Sequence, residues 1–406
     1  MNVSALSLWG MLVGVGLCFA AGLPGTAAPR MENLAAANNG FTFDLARQIA
    51  KEQPDKNIFL SPFSAATALQ MAAVGAAGQT RAEMERVLHT IHFPPSELNA
   101  GWKNLRDSLA SQTNVTLVLA NGIWYQKQLR LKPDFVAANQ NFFGAELAGV
   151  DFQKPDSAAL INAWAQKVTQ GKIQNVAQFP FPPDTRLLLA NALYFKGQWA
   201  EPFDKKQTAP RDFHLPDGAV KAIPMMSRSG KFRYQETSAF QAVILPYAGD
   251  RLEMILFLPA TNSSPQKLLA GWDGESWRDQ ILPRFTEREG TLRFPKFKLN
   301  DDRVLNAALK ALGMRRAFSD QADFSAMADQ PLAISQVKQK SYVAVDEEGT
   351  EAAAVTTVTM RALALRMPEK PFEMMVDRPF LFVIADRPTQ MILFTGLVND
   401  PPANAN

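Results

Sequence analysis

The chain predicts an α+β fold built mainly from antiparallel sheets. Helical periodicity dominates its first third, and long apolar or alternating runs concentrate in its middle and end. One late segment, Thr350–Met360, alternates with period two yet lies between loop-like flanks. With 406 residues, 47% of them hydrophobic and only 20% charged, the chain can bury a large core. Its formal net charge of +3 excludes a strongly basic nucleic-acid or membrane-surface protein. The densest basic patch, Lys127, Arg130 and Lys132, reads as a solvated strand edge.

Residues Ala5–Ala21 are apolar apart from Ser7, and small residues continue to Ala28. This run is too short for a confident membrane span and predicts a secretory signal peptide over 1–28, although its start carries no Lys or Arg. Leu17 occupies a position where a lipoprotein signal needs a small residue, so Cys18 is not read as a lipidation site. The protein is therefore expected outside the cytoplasm, secreted or periplasmic, and free of the membrane once the signal is removed. Cys18 is the sole cysteine, so the mature chain must stabilise itself by packing alone.

Length alone suggests two or three domains, but no linker or repeat divides Phe41–Pro401, and 29–406 is expected to form one domain. Ser61-Pro62 predicts a helix start, a capping hydroxyl followed by proline at the first helical position. Ala65, Ala68, Leu69, Ala72 and Gly75 then form a small-residue face. Val115–Ala120 and Leu187–Phe195 are nearly continuous apolar runs, suited to strands buried on both faces. Arg303–Leu312 predicts a helix ended by Gly313, with Val304, Leu305, Ala308, Leu309 and Leu312 on one side. Pro379–Ala385 and Met391–Val398, joined by Asp386–Gln390, predict a buried hairpin.

No thiol nucleophile remains after export, and His89, His92 and His214 have no companions at metal-ligand spacing. No nucleophile elbow, phosphate-cradling glycine loop or paired-carboxylate motif is present. The residues point to no enzyme, metal or cofactor. From Thr350, one face of the alternating segment carries Thr350, Ala352, Ala354, Thr356, Val358 and Met360, and every charge lies on the other. Glu351–Ala354 would also suit a solvated helix start, against which stands the β-branched run Val355–Thr359.

Several segments resemble the landmarks of one family, the serpins, in order from about Phe41 to Pro401. Asn57–Ser64 with Gly75–Thr80, Asn191–Trp199, Leu312–Met314 with Ala322–Ser325, Val376–Phe382 and Leu393–Gly396 carry the resemblance. It implies a fold of three β-sheets, surrounding helices and an exposed reactive-centre loop at about 347–371. The implied activity is suicide inhibition of a serine protease, which cleaves the loop and is trapped as an acyl-enzyme while the loop inserts into sheet A. The implied hinge is Glu347, Glu348, Gly349, Thr350, Glu351, Ala352, Ala353 and Ala354, with Gly349 as pivot. Before cleavage Thr350 is expected near the surface.

The resemblance further implies a shutter at Ser61, Ser64 and Asn191. Gln339 stands where the family usually places histidine, which excludes pH sensing by a shutter histidine. It implies a breach at Trp199, Lys296 and Glu347, the last two as an ion pair. Family spacing from Glu347 puts the reactive bond at Leu363–Ala364, with Arg361 and Arg366 as alternatives for trypsin-like enzymes. Leu363 suits a monomeric inhibitor of proteases with an apolar primary pocket, of chymotrypsin, subtilisin or elastase type. The competing function is a non-inhibitory carrier, chaperone or structural protein. The small residues Thr350 and Ala352–Ala354 speak against it, because such members often carry bulky or charged hinges.

Overall fold

A computed structural model describes residues 31–110, 115–350 and 370–402. The expected signal peptide and most of the expected reactive-centre loop lie outside them. In chain order the helices that matter here are α1 (Met31–Glu52), α2 (Pro62–Ala73), α3 (Gly78–Val87), α4 (Pro95–Ala110), α5 (Pro133–Ala138) and α6 (Pro155–Val168). The early strands are β1 (Ile58–Leu60), β2 (Val115–Gln126), β3 (Glu146–Val150), β4 (Leu187–Gln198) and β5 (Ala209–His214). Then follow β6 (Val220–Glu236), β7 (Phe240–Pro246), β8 (Leu252–Pro259), β9 (Thr286–Pro295) and β10 (Phe297–Val304). The last are β11 (Gln336–Val345), β12 (Gly349–Thr350), β13 (Phe372–Met375), β14 (Phe380–Asp386) and β15 (Met391–Val398).

One sheet runs β10-β11-β4-β2-β3, with β12 added to β4. The second network runs β1-β15-β14-β8-β7-β6-β9-β13, with β5 on β6. The 17-residue β6 joins two sheets into this one network. Its start pairs with β5, its middle with β9 and its end with β7. Pairing is mainly antiparallel, as expected. Among the described residues β4–β11, β2–β3 and β9–β13 are parallel.

The helix start at Ser61-Pro62 is present. Ser61 Oγ accepts from Ser64 N at 3.2 Å, and all of α2 is buried between the sheets. Both strands of the β14–β15 hairpin are buried throughout, and only its turn is exposed. Two expectations fail. The chain stays extended through Val304, because Arg303 and Val304 pair with Gln339 and Lys338 of β11, and helix begins only at Asn306. Val115–Ala120 is only half-buried. β3 covers β2 only from Gly122 onward, so the earlier residues form a sheet edge. In the basic patch, Lys127 pairs with Asp151 at 3.1 Å and Lys132 with Asp329 at 3.0 Å. No described helix is long and apolar enough to cross a membrane.

The core between the sheets is aromatic where β15 meets its neighbours. Phe59 stacks on Phe394 at 5.5 Å and on Phe382 at 5.9 Å. Gly396 pairs with Phe59 on one side and Phe382 on the other. A Cβ there would lie 2.1 Å from Phe382 Cε1, so the ring occupies the space a side chain would need. Gly396→Ala should therefore destabilise the protein by about 2 kcal/mol through overpacking. Thermal unfolding should show a clear drop, and an unchanged melting temperature would mean that the ring can move aside.

Candidate functional site

The site begins where β11 ends. Asp346 Oδ1 accepts from Glu348 N at 3.0 Å and Gly349 N at 3.2 Å, while Asp346 N donates to Gly349 O at 2.8 Å. This turn sends the chain back antiparallel against β4, pairing Gly349 with Gln198 and Thr350 with Gly197. Gly349 has φ +150, and a Cβ would lie 2.2 Å from Gly197 O, so the return requires glycine. β2 holds one edge of β4 all the way to Gly197, and β11 holds the other edge only as far as Tyr194. β12 therefore takes the second edge, at the point where β11 leaves it.

Thr350 is not near the surface. It is 0% exposed, with its Oγ1 2.9 Å from the Tyr247 hydroxyl. The expectation of an exposed Thr350 fails because the turn at Asp346 places it in the sheet. Glu351, Ala352, Ala353, Ala354, Arg361, Leu363, Ala364 and Arg366 lie outside the described residues.

The residues expected at the breach surround this turn. Lys296 Nζ lies 3.0 Å from Glu347 Oε2, and Thr208 Oγ1 donates to Glu347 Oε1 at 2.9 Å. Trp199 Nε1 donates to Asp346 O at 3.0 Å and its backbone N to Glu348 O at 3.0 Å. Lys205 adds an ion pair to Glu348. Burial pushes the Glu347 carboxyl up, but its own backbone N–H, Lys296 and Thr208 outweigh burial and hold it below the usual carboxylate range. Burial raises Asp346 despite the N–H groups of Glu348 and Gly349.

The residues expected at the shutter meet at the first turn of α2. Gln339 Nε2 donates to Ser61 O at 2.9 Å, and Ser61 N donates to Gln339 Oε1 at 3.0 Å. One side chain thus satisfies both backbone groups of the cap residue. Ser61 Oγ donates to Leu393 O at 2.7 Å. Asn191 Nδ2 donates to Asn121 Oδ1 at 2.5 Å, and Ser64 Oγ reaches the same oxygen at 3.0 Å. Asn191 Oδ1 has no partner among the described residues.

The serpin family profile, described as serine protease inhibitor, matches residues 36–401. The chain is a member of the serpin family. Bovine leukocyte elastase inhibitor is 37% identical over 383 residues, covering 91% of this chain and 100% of that protein. Mouse protein-Z dependent protease inhibitor superposes with a TM-score of 0.83 at 29% identity, covering 92% of this chain and 98% of that one. Human thyroxine-binding globulin, solved in complex with thyroxine, superposes with a TM-score of 0.82 at 27% identity, covering 91% and 99%.

In this serpin three contributors escaped the sequence reading. Asn121 carried a usable signal: like Asn191 it is a carboxamide in an apolar strand, and the two pair directly across β2–β4. Thr208 and Tyr247 carried none, since a threonine and a tyrosine in turns are ordinary.

Glu347 should make the native state depend on pH. A depressed carboxylate contributes stability above its unfolded pKa of about 4.3, and loses it as pH falls through the lower folded value. Glu347→Gln, leaving a partly buried Lys296 without its carboxylate, should cost about 1–2 kcal/mol at pH 7. Thermal unfolding of both proteins across pH should show that difference shrinking below about pH 4. A gap of constant size down to pH 3 would mean that the loss is one of shape rather than charge.

Proposed function

We propose that this serpin is a suicide inhibitor of serine proteases that traps its target by strand insertion between β4 and β11. The observation that carries this reading is β12, two residues already paired antiparallel on the edge of β4 that β11 vacates. Each further step along the chain is one step back along β4. Continuing the register would set Ala352 against Phe195, Thr356 against Asn191 and Met360 against Leu187, the first residue of β4. The face led by buried Thr350 is small or apolar throughout, so no unpaired charge would enter the core.

Insertion replaces one parallel interface by two antiparallel ones, which are slightly better bonded per residue. Serpin loop insertion is itself a recognised instance of strand addition. In this reading Ser61, Ser64, Asn191 and Gln339, joined by Asn121, act as the shutter, and Trp199, Lys296 and Glu347 as the breach. The loop spans about 347–371, with the hinge at Glu347–Ala354. Leu363–Ala364 is the reactive bond, and the target is a protease with an apolar primary pocket. The protein acts as a monomer outside the cytoplasm after losing residues 1–28.

The likeness to thyroxine-binding globulin supports a second reading, a carrier whose loop is cut without trapping. Incubation with elastase, chymotrypsin and subtilisin decides between them. The inhibitory reading expects a complex stable in denaturant and a new N-terminus at Ala364. Free turnover of all three proteases with no complex would favour the carrier.

Stored energy gives a separate test. Nicking an ordinary loop leaves stability unchanged or lower. Here the cut releases a segment able to fill the edge of β4, adding ladder hydrogen bonds and burying its small face. The cleaved protein should melt well above the intact one. Equal or lower melting, with the cut located between Arg361 and Arg366, would sink insertion.

A further inference from the structure

Tyr247 sits between β7 and β8 and is completely buried. Its ring stacks on Trp199 at 4.6 Å and 14°, and meets Phe195 edge-on at 4.9 Å. Gly197 lets the ring approach, since a Cβ there would lie 2.8 Å from Tyr247 Cδ1. Tyr247 N donates to Leu252 O at 2.9 Å, and Ala248 N to Gln198 O at 2.8 Å, tying the same turn to the end of β4. The phenol is thus fixed in place by neighbours on three elements. Thr350, which it meets at 2.9 Å, lies in β12 next to Gly349 and pairs with Gly197 of β4. Burial pushes the phenol pKa far up, so the hydroxyl stays protonated at any working pH.

We infer that Tyr247 is a positioning residue for insertion: its hydroxyl catches Thr350 and holds the first pair of the incoming strand in register on β4 before any protease arrives. The inference rests on the inhibitory reading above. Ordering the first residues of a strand costs conformational entropy that later hydrogen bonds repay. A first pair already seated removes that step from the interval between acylation and ester hydrolysis. The hydroxyl then sets how acylated molecules divide between trapping and turnover, and leaves the attack on the loop unchanged.

Tyr247→Phe keeps the stacked ring and removes the hydroxyl. One net hydrogen bond corresponds to a population change of roughly 2- to 12-fold. Trp199 N donates to Glu348 O, so its amide reports whether β12 is seated. In the intact full-length variant, hydrogen exchange at the Trp199 amide should quicken by about that factor. The stoichiometry of inhibition should rise at least about two-fold while the second-order rate of loop attack stays as in the wild type. Thr350→Val should do the same, and combining both changes should add little, since they break one bond.

Unchanged Trp199 exchange in Tyr247→Phe would overturn the catch. Faster exchange with unchanged stoichiometry would overturn its role in trapping. If the wild type forms no complex with any protease, the inhibitory reading fails first, and the role in trapping with it. The exchange measurement still decides whether Tyr247 seats β12.

Discussion

Everything specific to this chain turns on the seam between β4 and β11, a parallel pairing from Gln336–Leu188 to Tyr342–Tyr194 in the middle of a sheet. The two strands on either side of it are tied to the same place. Gln339 of β11 holds the backbone of Ser61, and Asn191 of β4 reaches Ser64 through Asn121 of β2. Gln339 and Asn191 are paired across the seam, yet Gln339 bonds to Ser61 and Asn191 to Asn121 rather than to each other. These polar ties link the two halves of the sheet only indirectly, through the first turn of α2. The backbone ladder closes the seam, and in the proposed mechanism a strand offering the same bonds on both sides takes its place.

The turn at the end of β11 depends on that seam and on one local device. The turn at Asp346 needs a carboxylate to gather the amides of Glu348 and Gly349, and a glycine where the backbone passes Gly197 O. The charges of this acidic stretch are kept out of the sheet. Glu347 turns to Lys296 and Thr208, and Glu348 to Lys205, while Thr350 is the first side chain to enter. Trp199 spans both functions, bonding the turn through its indole and the ladder through its backbone. Glu347 is itself buried, its charge held by Lys296 and Thr208, whereas Thr350 enters the sheet with only a hydroxyl to satisfy.

Much of this was legible because it rests on local chemistry. Ser61-Pro62 reads as a cap and a carboxamide at Asn191 must find partners, whereas the period-two face beyond Thr350 lies outside the described residues. The failures share one cause, since each needed to know which strand lay alongside. Val115–Ala120 is apolar enough for a two-sided core, but β3 stops short of it. Arg303 and Val304 fit a helix by spacing, yet the ladder with β11 outweighs propensity. Thr350 lies in the sheet because β11 leaves β4 at Tyr194, and nothing in the residues around 350 encodes where a strand 150 residues earlier loses its neighbour.

With Gln339 in place of a histidine, the cluster of Ser61, Ser64, Asn191 and Gln339 holds no group that titrates near neutrality. The turn above it carries two adjacent carboxyls shifted in opposite senses. The raised pKa of Asp346 means that its ionised form costs stability at neutral pH, and the cost lifts as pH falls through its folded value. The lowered pKa of Glu347 means that its contribution persists to more acid conditions and disappears only below the ordinary carboxylate range. Protonating Asp346 relieves a buried charge but weakens the acceptor that gathers the Glu348 and Gly349 amides, whereas protonating Glu347 removes the partner of Lys296. The turn therefore holds its two carboxyls by different means, Asp346 by backbone amides and Glu347 by Lys296 and Thr208.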